Sequence, residues 1–113
     1  MTTATLDQAQ VNAIVVEAMI EARQAAEAAL AIHGDRDACG FAWTNIYGVK
    51  GNTKLGKMLK AAGVRQDYTK AFQLWNPAKL PVQSLSVLEA GAEAAAKVFQ
   101  KYGFEAYAGS RLD

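Results

Sequence analysis

The chain has 113 residues, 51% of them hydrophobic, and a net charge of +1, which fits one domain over residues 1–113 with one hydrophobic core. A single cysteine and a single histidine exclude an internal disulfide and a multi-cysteine metal site. No apolar run is long enough to cross a membrane, and the first ten residues lack the order of a signal peptide, so we expect a cytoplasmic protein with no membrane partner.

The charge is distributed unevenly along the chain. Residues 1–49 carry six acids and two bases, a net charge of −4, whereas residues 50–79 carry seven bases and one acid, a net charge of +6. This asymmetry predicts a middle segment that faces an anion, or a contact between the two halves of neighbouring molecules. Alternatively, the charged residues of this segment form an ordinary solvated surface that binds no ligand.

The first element is a long helix, predicted over residues 6–32. Thr5 followed by Gln8 has the pattern of a capping box, and Gly34 is placed to end the helix. His33 beside Asp35 and Asp37 suits a helix C-terminus, so we favour a capping role over a metal site.

This helix has more apolar perimeter than one sheet can cover. Val16 and Ile20 extend its apolar surface on one flank, opposite a second apolar flank that contains Val15. We therefore expect the helix to pack on its own core and also on a second copy of the chain, which makes a homo-oligomer. A helix buried within a monomer is the alternative.

An aromatic strand follows, predicted over residues 39–49. Strand alternation separates two sets of side chains: Phe41, Trp43 and Tyr47 on one face, and Ala42, Thr44 and Ile46 on the other. Both faces are apolar enough to be buried. Asn45 interrupts the aromatic row and would need a polar partner if buried, which makes it a candidate for ligand contact.

Residues 51–58 match the phosphate-binding loop of nucleotide hydrolases except at Met58, where that pattern requires Ser or Thr. The hydroxyl that would hold Mg²⁺ is missing. Asn52 or Thr53 also fits the N-cap of a helix over residues 54–62, so we exclude a nucleotide hydrolase. What remains is a helix N-terminus near lysines, which favours an anion such as phosphate; these lysines are Lys50, Lys54 and Lys57.

The remaining elements are a polar turn over residues 64–69, a strand over 70–75, a helix over 87–102 and a strand over 104–108. Ser86 and Glu89 form a second capping-box pattern before the helix. In the tail over 109–113, we expect Leu112 to dock and to hold Arg111 against the sheet, or else the tail is frayed.

Two segments share one plan of a helix, a glycine and a strand: KMLKAAGV followed by AFQLW, and KVFQKYGF followed by AYAG. Each resembles the final helix-to-strand unit of the GCN5-related acetyltransferases. The glycine-rich turn with which that family binds the coenzyme A pyrophosphate is absent, so acetyl transfer is not expected. Over residues 38–113, the runs FAW, KGNTKLGK, LWNP, LEAGA and GF-x-AYAGSRLD resemble small uncharacterised proteins of tailed bacteriophages and prophages, a resemblance that implies no activity.

The order of elements predicts an α/β (or α+β) domain with a long N-terminal helix, a small three-stranded, partly parallel sheet and two further helices. We expect the helices at 54–62 and 87–102 on one face of the sheet and the helix at 6–32 on the other. The two open edges of such a sheet give a second route to a dimer.

For function, we expect a non-enzymatic binding protein, such as a phage accessory or anti-defence factor, that holds an anionic small ligand such as a nucleotide. No catalytic set, metal or cofactor is expected. The candidate site is Lys50, Gly51, Asn52, Thr53, Lys54, Lys57, Trp43, Asn45, Trp75 and Arg111. The alternatives are nucleic-acid binding through residues 50–79, with Trp75 or Tyr68 stacking on a base, and a protein-binding or assembly module that uses the long helix.

Overall fold

The computed structural model of the chain describes residues 5–35 and 38–113. Within them the chain forms, in order, α1 (Gln8–His33), β1 (Gly40–Tyr47), α2 (Lys54–Ala61), β2 (Arg65–Gln66), β3 (Phe72–Trp75), α3 (Leu85–Lys101) and β4 (Glu105–Leu112). A mixed α and β fold with a long N-terminal helix is therefore confirmed. No helix in the described part of the chain is both long and apolar enough to span a bilayer.

The sheet has four strands in the order β2-β3-β1-β4, and every neighbouring pair is antiparallel. The predicted three-stranded, partly parallel sheet is wrong, because the polar stretch after α2 contains β2. A hairpin between β2 and β3 reverses the chain, so β3 returns antiparallel to β1. Asp67 Oδ1 stabilises the turn by accepting from Thr69 Oγ1 (2.6 Å) and from Ala71 N (3.0 Å), and the hydroxyl of Thr69 lowers the pKa of Asp67.

All three helices lie on one side of the sheet. α3 packs on β1 and β4, and α1 packs on α3 and touches α2. Apolar residues of α1, such as Ala22, share one core with Ile46, Phe72 and Phe99. The prediction that α1 covers the opposite face of the sheet is therefore wrong. Small residues allow α1 to pack on α3 instead: Ala18, Ala22 and Ala26 on α1 and Gly91 and Ala95 on α3 are all buried.

The helix starts are partly as predicted. The capping box of α1 lies two residues further along the chain than expected, with Asp7 accepting from Gln10 N at 2.8 Å and Gln10 accepting from Asp7 N at 2.9 Å. α2 begins after Thr53, whose hydroxyl accepts from Gly56 N at 3.1 Å, as predicted. α3 begins at Leu85, two residues before its predicted start.

The C-terminal tail is part of the sheet. β4 pairs with β1 from Glu105, opposite Tyr47, to Leu112, opposite Gly40. Leu112 does not dock as an apolar anchor, because it is 63% exposed. Backbone pairing holds Arg111 on the sheet instead, with its guanidinium 5.3 Å from the centroid of the Phe41 ring.

Candidate functional site

The face of the sheet that points away from the helices carries most of the aromatic side chains of the strands. Antiparallel pairing sets residues in rows across it: Trp43 lies between Trp75 and Gly109 in one row, and Asn45 lies between Gln73 and Tyr107 in the next. None of the described helices packs on this surface. We call it the open face; its residues are Phe41, Trp43, Asn45, Tyr47, Arg65, Gln73, Trp75, Glu105, Tyr107, Gly109 and Arg111.

Two tryptophans stack at the centre of the open face. The rings of Trp43 and Trp75 are 5.3 Å apart between centroids and inclined by 5°, and Phe41 lies 5.9 Å from Trp75. Gly109 makes this arrangement possible, since a Cβ at that position would lie 2.5 Å from Nε1 of Trp43. Trp75 remains 42% exposed, which leaves ring surface available to a ligand.

Trp75 also borders a concavity of about 180 Å³ at the edge of the sheet. We call it the Trp75 notch; its lining residues are Gly63, Arg65, Gln73, Leu74, Trp75 and Lys79. Lys79 Nζ donates to the backbone carbonyl oxygen of Trp75 at 3.0 Å, which holds this cation at the rim of the notch. The notch therefore combines an aromatic surface with two cations, a chemistry that suits a planar ring bearing an anionic group.

Next to the two tryptophans the open face has a polar row, and beyond that row lies an aromatic pair. Gln73 Nε2 donates to Asn45 Oδ1 and to Asp67 Oδ2, both at 3.3 Å. The partner that Asn45 was expected to need is thus a neighbouring side chain. Tyr47 and Tyr107 pair at 6.1 Å between ring centroids, and both are exposed.

A second feature is a wide groove, of about 810 Å³, at the end of the sheet where β1 leads into α2. We call it the lysine groove; its lining residues are Val49, Lys50, Gly51, Asn52, Lys57, Lys60, Gln66 and Lys70. Of the residues that the structure describes, no carboxylate lines it and none forms an ion pair with these four lysines. The groove therefore has a positive potential that favours anions.

Packing explains the resemblance of this segment to a phosphate-binding loop. A Cβ at position 56 would lie 2.2 Å from the carbonyl oxygen of Lys50, so Gly56 lets α2 sit close to the preceding loop. The hydroxyl of Thr53 donates to that same carbonyl at 2.6 Å and caps the helix. Met58 is buried under α2. Gly56 in this segment is thus explained by how α2 begins.

The predicted site is divided between these two features. Lys50, Gly51, Asn52 and Lys57 meet in the lysine groove, whereas Thr53 serves the helix cap and Lys54 is not among the lining residues. Trp43, Asn45, Trp75 and Arg111 lie on the open face and line no part of the groove.

Sequence reasoning missed several residues of both features: Lys60, Lys70, Arg65, Gln73 and Lys79. Lys60 follows Lys57 by three positions, so helical spacing could have placed both on one face. Lys70, Arg65 and Gln73 depend on the β2–β3 hairpin, which has only two paired positions and left no periodic signal, and Lys79 follows β3.

The apolar flank of α1 is partly exposed. Val16 is 54% and Ile20 50% exposed, and both border a shallow groove of about 480 Å³ between α1 and the loop from Pro77 to Lys79. The homo-oligomer predicted to form through residues 6–32 would use this surface. That contact remains a prediction.

The acidic turn after α1 has a structural role. Asp35 Oδ1 accepts from Ser84 N at 2.7 Å and from Gln83 N at 3.2 Å, which ties this turn to the start of α3. The alternative metal site would combine His33, Asp35 and Asp37, and Asp37 lies outside the described residues. Within residues 5–35 and 38–113, no three side chains of the metal-binding types gather.

No protein-family model, curated protein or solved structure that was compared with this chain matches it. The resemblances to phage proteins and to an acetyltransferase unit therefore remain predictions. The chemistry of the open face and of the lysine groove follows from their own residues.

Proposed function

We propose that the protein binds single-stranded nucleic acid without catalysing a reaction, with bases stacked on the open face and phosphates held by the cations of residues 50–79. One observation carries this proposal: an exposed tryptophan, Trp75, stacks on Trp43 and shares one notch with Arg65 and Lys79. A base on the outer side of Trp75 would extend the stack, and either cation could meet the adjoining phosphate.

Base stacking supplies affinity without sequence preference. Each base stacked on an aromatic side chain contributes roughly 1–3 kcal/mol, and open β-sheet faces with aromatic residues bind single-stranded RNA in this way. The open face offers a cluster around Trp75 and a second aromatic pair, Tyr47 and Tyr107. Bases in a duplex are already stacked on each other, so a sheet surface of this kind favours single strands.

The distribution of charge supports a polymer as the ligand. Segment 50–79 carries seven bases and one acid, and supplies both the four lysines of the lysine groove and the two cations of the Trp75 notch. Arg111 adds a cation over Phe41 at the opposite side of the open face. The sequence favoured a single nucleotide clamped between the lysines and the tryptophans. The structure favours this arrangement less, because the lysines line the lysine groove and the tryptophans lie on the open face.

Binding of short labelled oligonucleotides tests the proposal. Fluorescence anisotropy should give affinities that rise with strand length and fall with salt, with a slope of about −0.7 in log K against log salt for each phosphate contacted. Tryptophan fluorescence should be quenched as bases stack. A strand of equal length that lacks bases provides the matched control, and equal affinity for this control would refute stacking on the open face.

A small anionic ligand in the lysine groove is the second candidate. The observation that favours it is the lining of the groove, which has four lysines and no carboxylate among the described residues. A mononucleotide or pyrophosphate that raises the melting temperature progressively as its concentration increases would support this function. If longer oligonucleotides then bind no more tightly than the mononucleotide, the small ligand replaces the polymer.

The remaining expectations stay predictions. A phage accessory or anti-defence role rests on the resemblance of residues 38–113, and an assembly module would use α1. Either role could accompany nucleic-acid binding, so the oligonucleotide experiment does not decide between them.

A further inference from the structure

We propose that β4 pairs antiparallel with β4 of a second copy of the chain, so that two four-stranded sheets join at their edges in a two-fold dimer. β4 is the last strand in the sheet order, and within residues 5–35 and 38–113 it pairs with β1 alone. The proposal concerns assembly and does not depend on the ligand of the open face.

The hydrogen-bonding groups along the outer side of β4 can be assigned from one hydrogen bond at the end of the pairing between β4 and β1. Asp113 N donates to Cys39 O at 3.0 Å, and residues of an antiparallel strand alternate between its two neighbours. Odd-numbered residues of β4 therefore bond to β1. The backbone groups of Ala106, Ala108, Ser110 and Leu112 point to the outer edge, where the carbonyl of Ala106 accepts from Gln100 Nε2 at 2.6 Å and retains a second lone pair.

This edge lacks the usual features that prevent strand pairing. β4 has eight residues in unbroken register with β1, and it contains no proline, no lysine and no bulge. The opposite edge, β2, is only two residues long. The C-terminal half of β4 also extends beyond the part of the sheet that α3 covers, as the exposure of Ala108, Ser110 and Leu112 shows.

Charge selects one register for the pairing. With the two-fold axis at Ala108, Glu105 of each copy faces Arg111 of the other, and Tyr107 faces Gly109. Moving the axis by one residue puts Glu105 opposite either Gly109 or Asp113, which removes the attraction or replaces it with repulsion. Opposite-charge pairs across strands are stabilising, so the register centred on Ala108 is favoured.

The dimer has two structural consequences. Paired residues of an antiparallel sheet point to the same side, so the open faces of the two copies would lie side by side. On the helical side, the exposed Leu112 of one copy would lie beside Phe104 of the other. An isologous contact of this kind closes on itself and leaves β2 as the outer edge of each sheet.

Exchange of the two charges tests the register. A chain with Glu105→Arg carries two positive charges on this edge, and a chain with Arg111→Glu carries two negative charges. We expect sedimentation velocity at about 50 µM, a working range for moderate association, to give dimers of the unmodified chain and monomers of each variant. An equimolar mixture of the two variants should restore the dimer, and a mixture that stays monomeric would overturn the proposal.

A proline tests the backbone pairing. Ser110→Pro removes an outward N–H without touching the ladder to β1, so it should give a folded monomer by circular dichroism, whereas Ser110→Ala should remain dimeric. Val16→Glu with Ile20→Glu should leave the dimer intact. Monomers of the unmodified chain, or a dimer that only the helix variant dissociates, would refute pairing through β4.

Discussion

The two faces of the sheet are built from alternate residues of the same strands, yet they differ in composition and surroundings. On β1, Ala42, Thr44 and Ile46 are at most 1% exposed, whereas the intervening Phe41, Trp43 and Asn45 keep contact with solvent. The covered residues of β1 are small or aliphatic, which lets α3 approach so closely that Thr44 Oγ1 donates to the carbonyl of Ala92 at 2.9 Å. Tryptophans there would hold the helix away.

The difference teaches that hydrophobic content alone does not identify the buried face. Aromatic residues interleaved with Asn45, Gln73 and Arg111 make a surface that is apolar enough to stack on a ligand and polar enough to remain hydrated. We therefore expect changes on the covered face to reduce stability and changes on the open face to reduce binding.

The largest effect should come from Phe72→Ala on the covered face. The side chain of Phe72 is fully buried between the sheet and the helices, so its truncation leaves a cavity and should lower the free energy of unfolding by about 3–5 kcal/mol. Urea denaturation followed by circular dichroism measures this loss. A change below about 1 kcal/mol would mean that the helices do not pack on this face.

The next effect should come from Trp75→Ala, three residues away on the open face. Loss of one stacked base should weaken oligonucleotide binding by about 5- to 150-fold, or roughly 1–3 kcal/mol, with a much smaller loss of stability than for Phe72→Ala. Trp75→Phe keeps an aromatic ring and serves as the control. If both variants bind like the unmodified chain, the ligand does not stack at the Trp75 notch.

Phe72 and Trp75 also show how much of the sheet could be predicted from the sequence. The fixed period of two in a strand is enough to separate Phe72 and Leu74 from Trp75. It did not reveal which face the helices cover. The amphipathicity of α1 gives the width of its apolar surface, but the small residues of α3 that receive it are distant in sequence.

The candidate site was partly predicted for the same reason. Lysines on one loop and one helix, such as Lys50 and Lys57, could be grouped from local spacing. Lys70 reaches the same groove only through the β2–β3 hairpin, whose turn depends on the hydrogen bonds of Asp67. Likewise, the tail was expected to need an anchor at Leu112, whereas the register of β4 against β1 is a property of backbone pairing.

A smaller effect on binding should separate the lysine groove from the open face. Lys57→Glu with Lys60→Glu should weaken oligonucleotide binding about tenfold at low salt, and should make the salt dependence shallower by about 1.4, or 0.7 for each lost phosphate contact. Arg23→Glu with Lys97→Glu changes the net charge equally at exposed positions outside residues 50–79 and is the matched control. Equal effects of the two double variants would indicate general attraction and no defined groove.

The smallest effect concerns the helical layer alone. The carboxylate of Glu17 on α1 accepts from Lys101 Nζ and from the hydroxyl of Tyr102 (2.5 Å), which joins the first helix to the end of the third. The contact with Lys101 lowers the pKa of Glu17, and the contact with Glu17 raises the pKa of Lys101. Because both groups are partly exposed, solvent screens their attraction and its contribution is modest.

The pH dependence of this contact follows from the directions of the two pKa shifts. A lowered pKa of Glu17 in the folded state contributes stability at neutral pH that is lost as pH falls below roughly 4, and a raised pKa of Lys101 contributes stability that is lost above roughly pH 10. Glu17→Gln should therefore lower the melting temperature slightly at pH 7, and the difference from the unmodified chain should shrink at pH 3. Oligonucleotide affinity should not change, because the contact lies in the helical layer and away from the open face. A difference in melting temperature that is the same at both pH values would show that the contact does not act through charge.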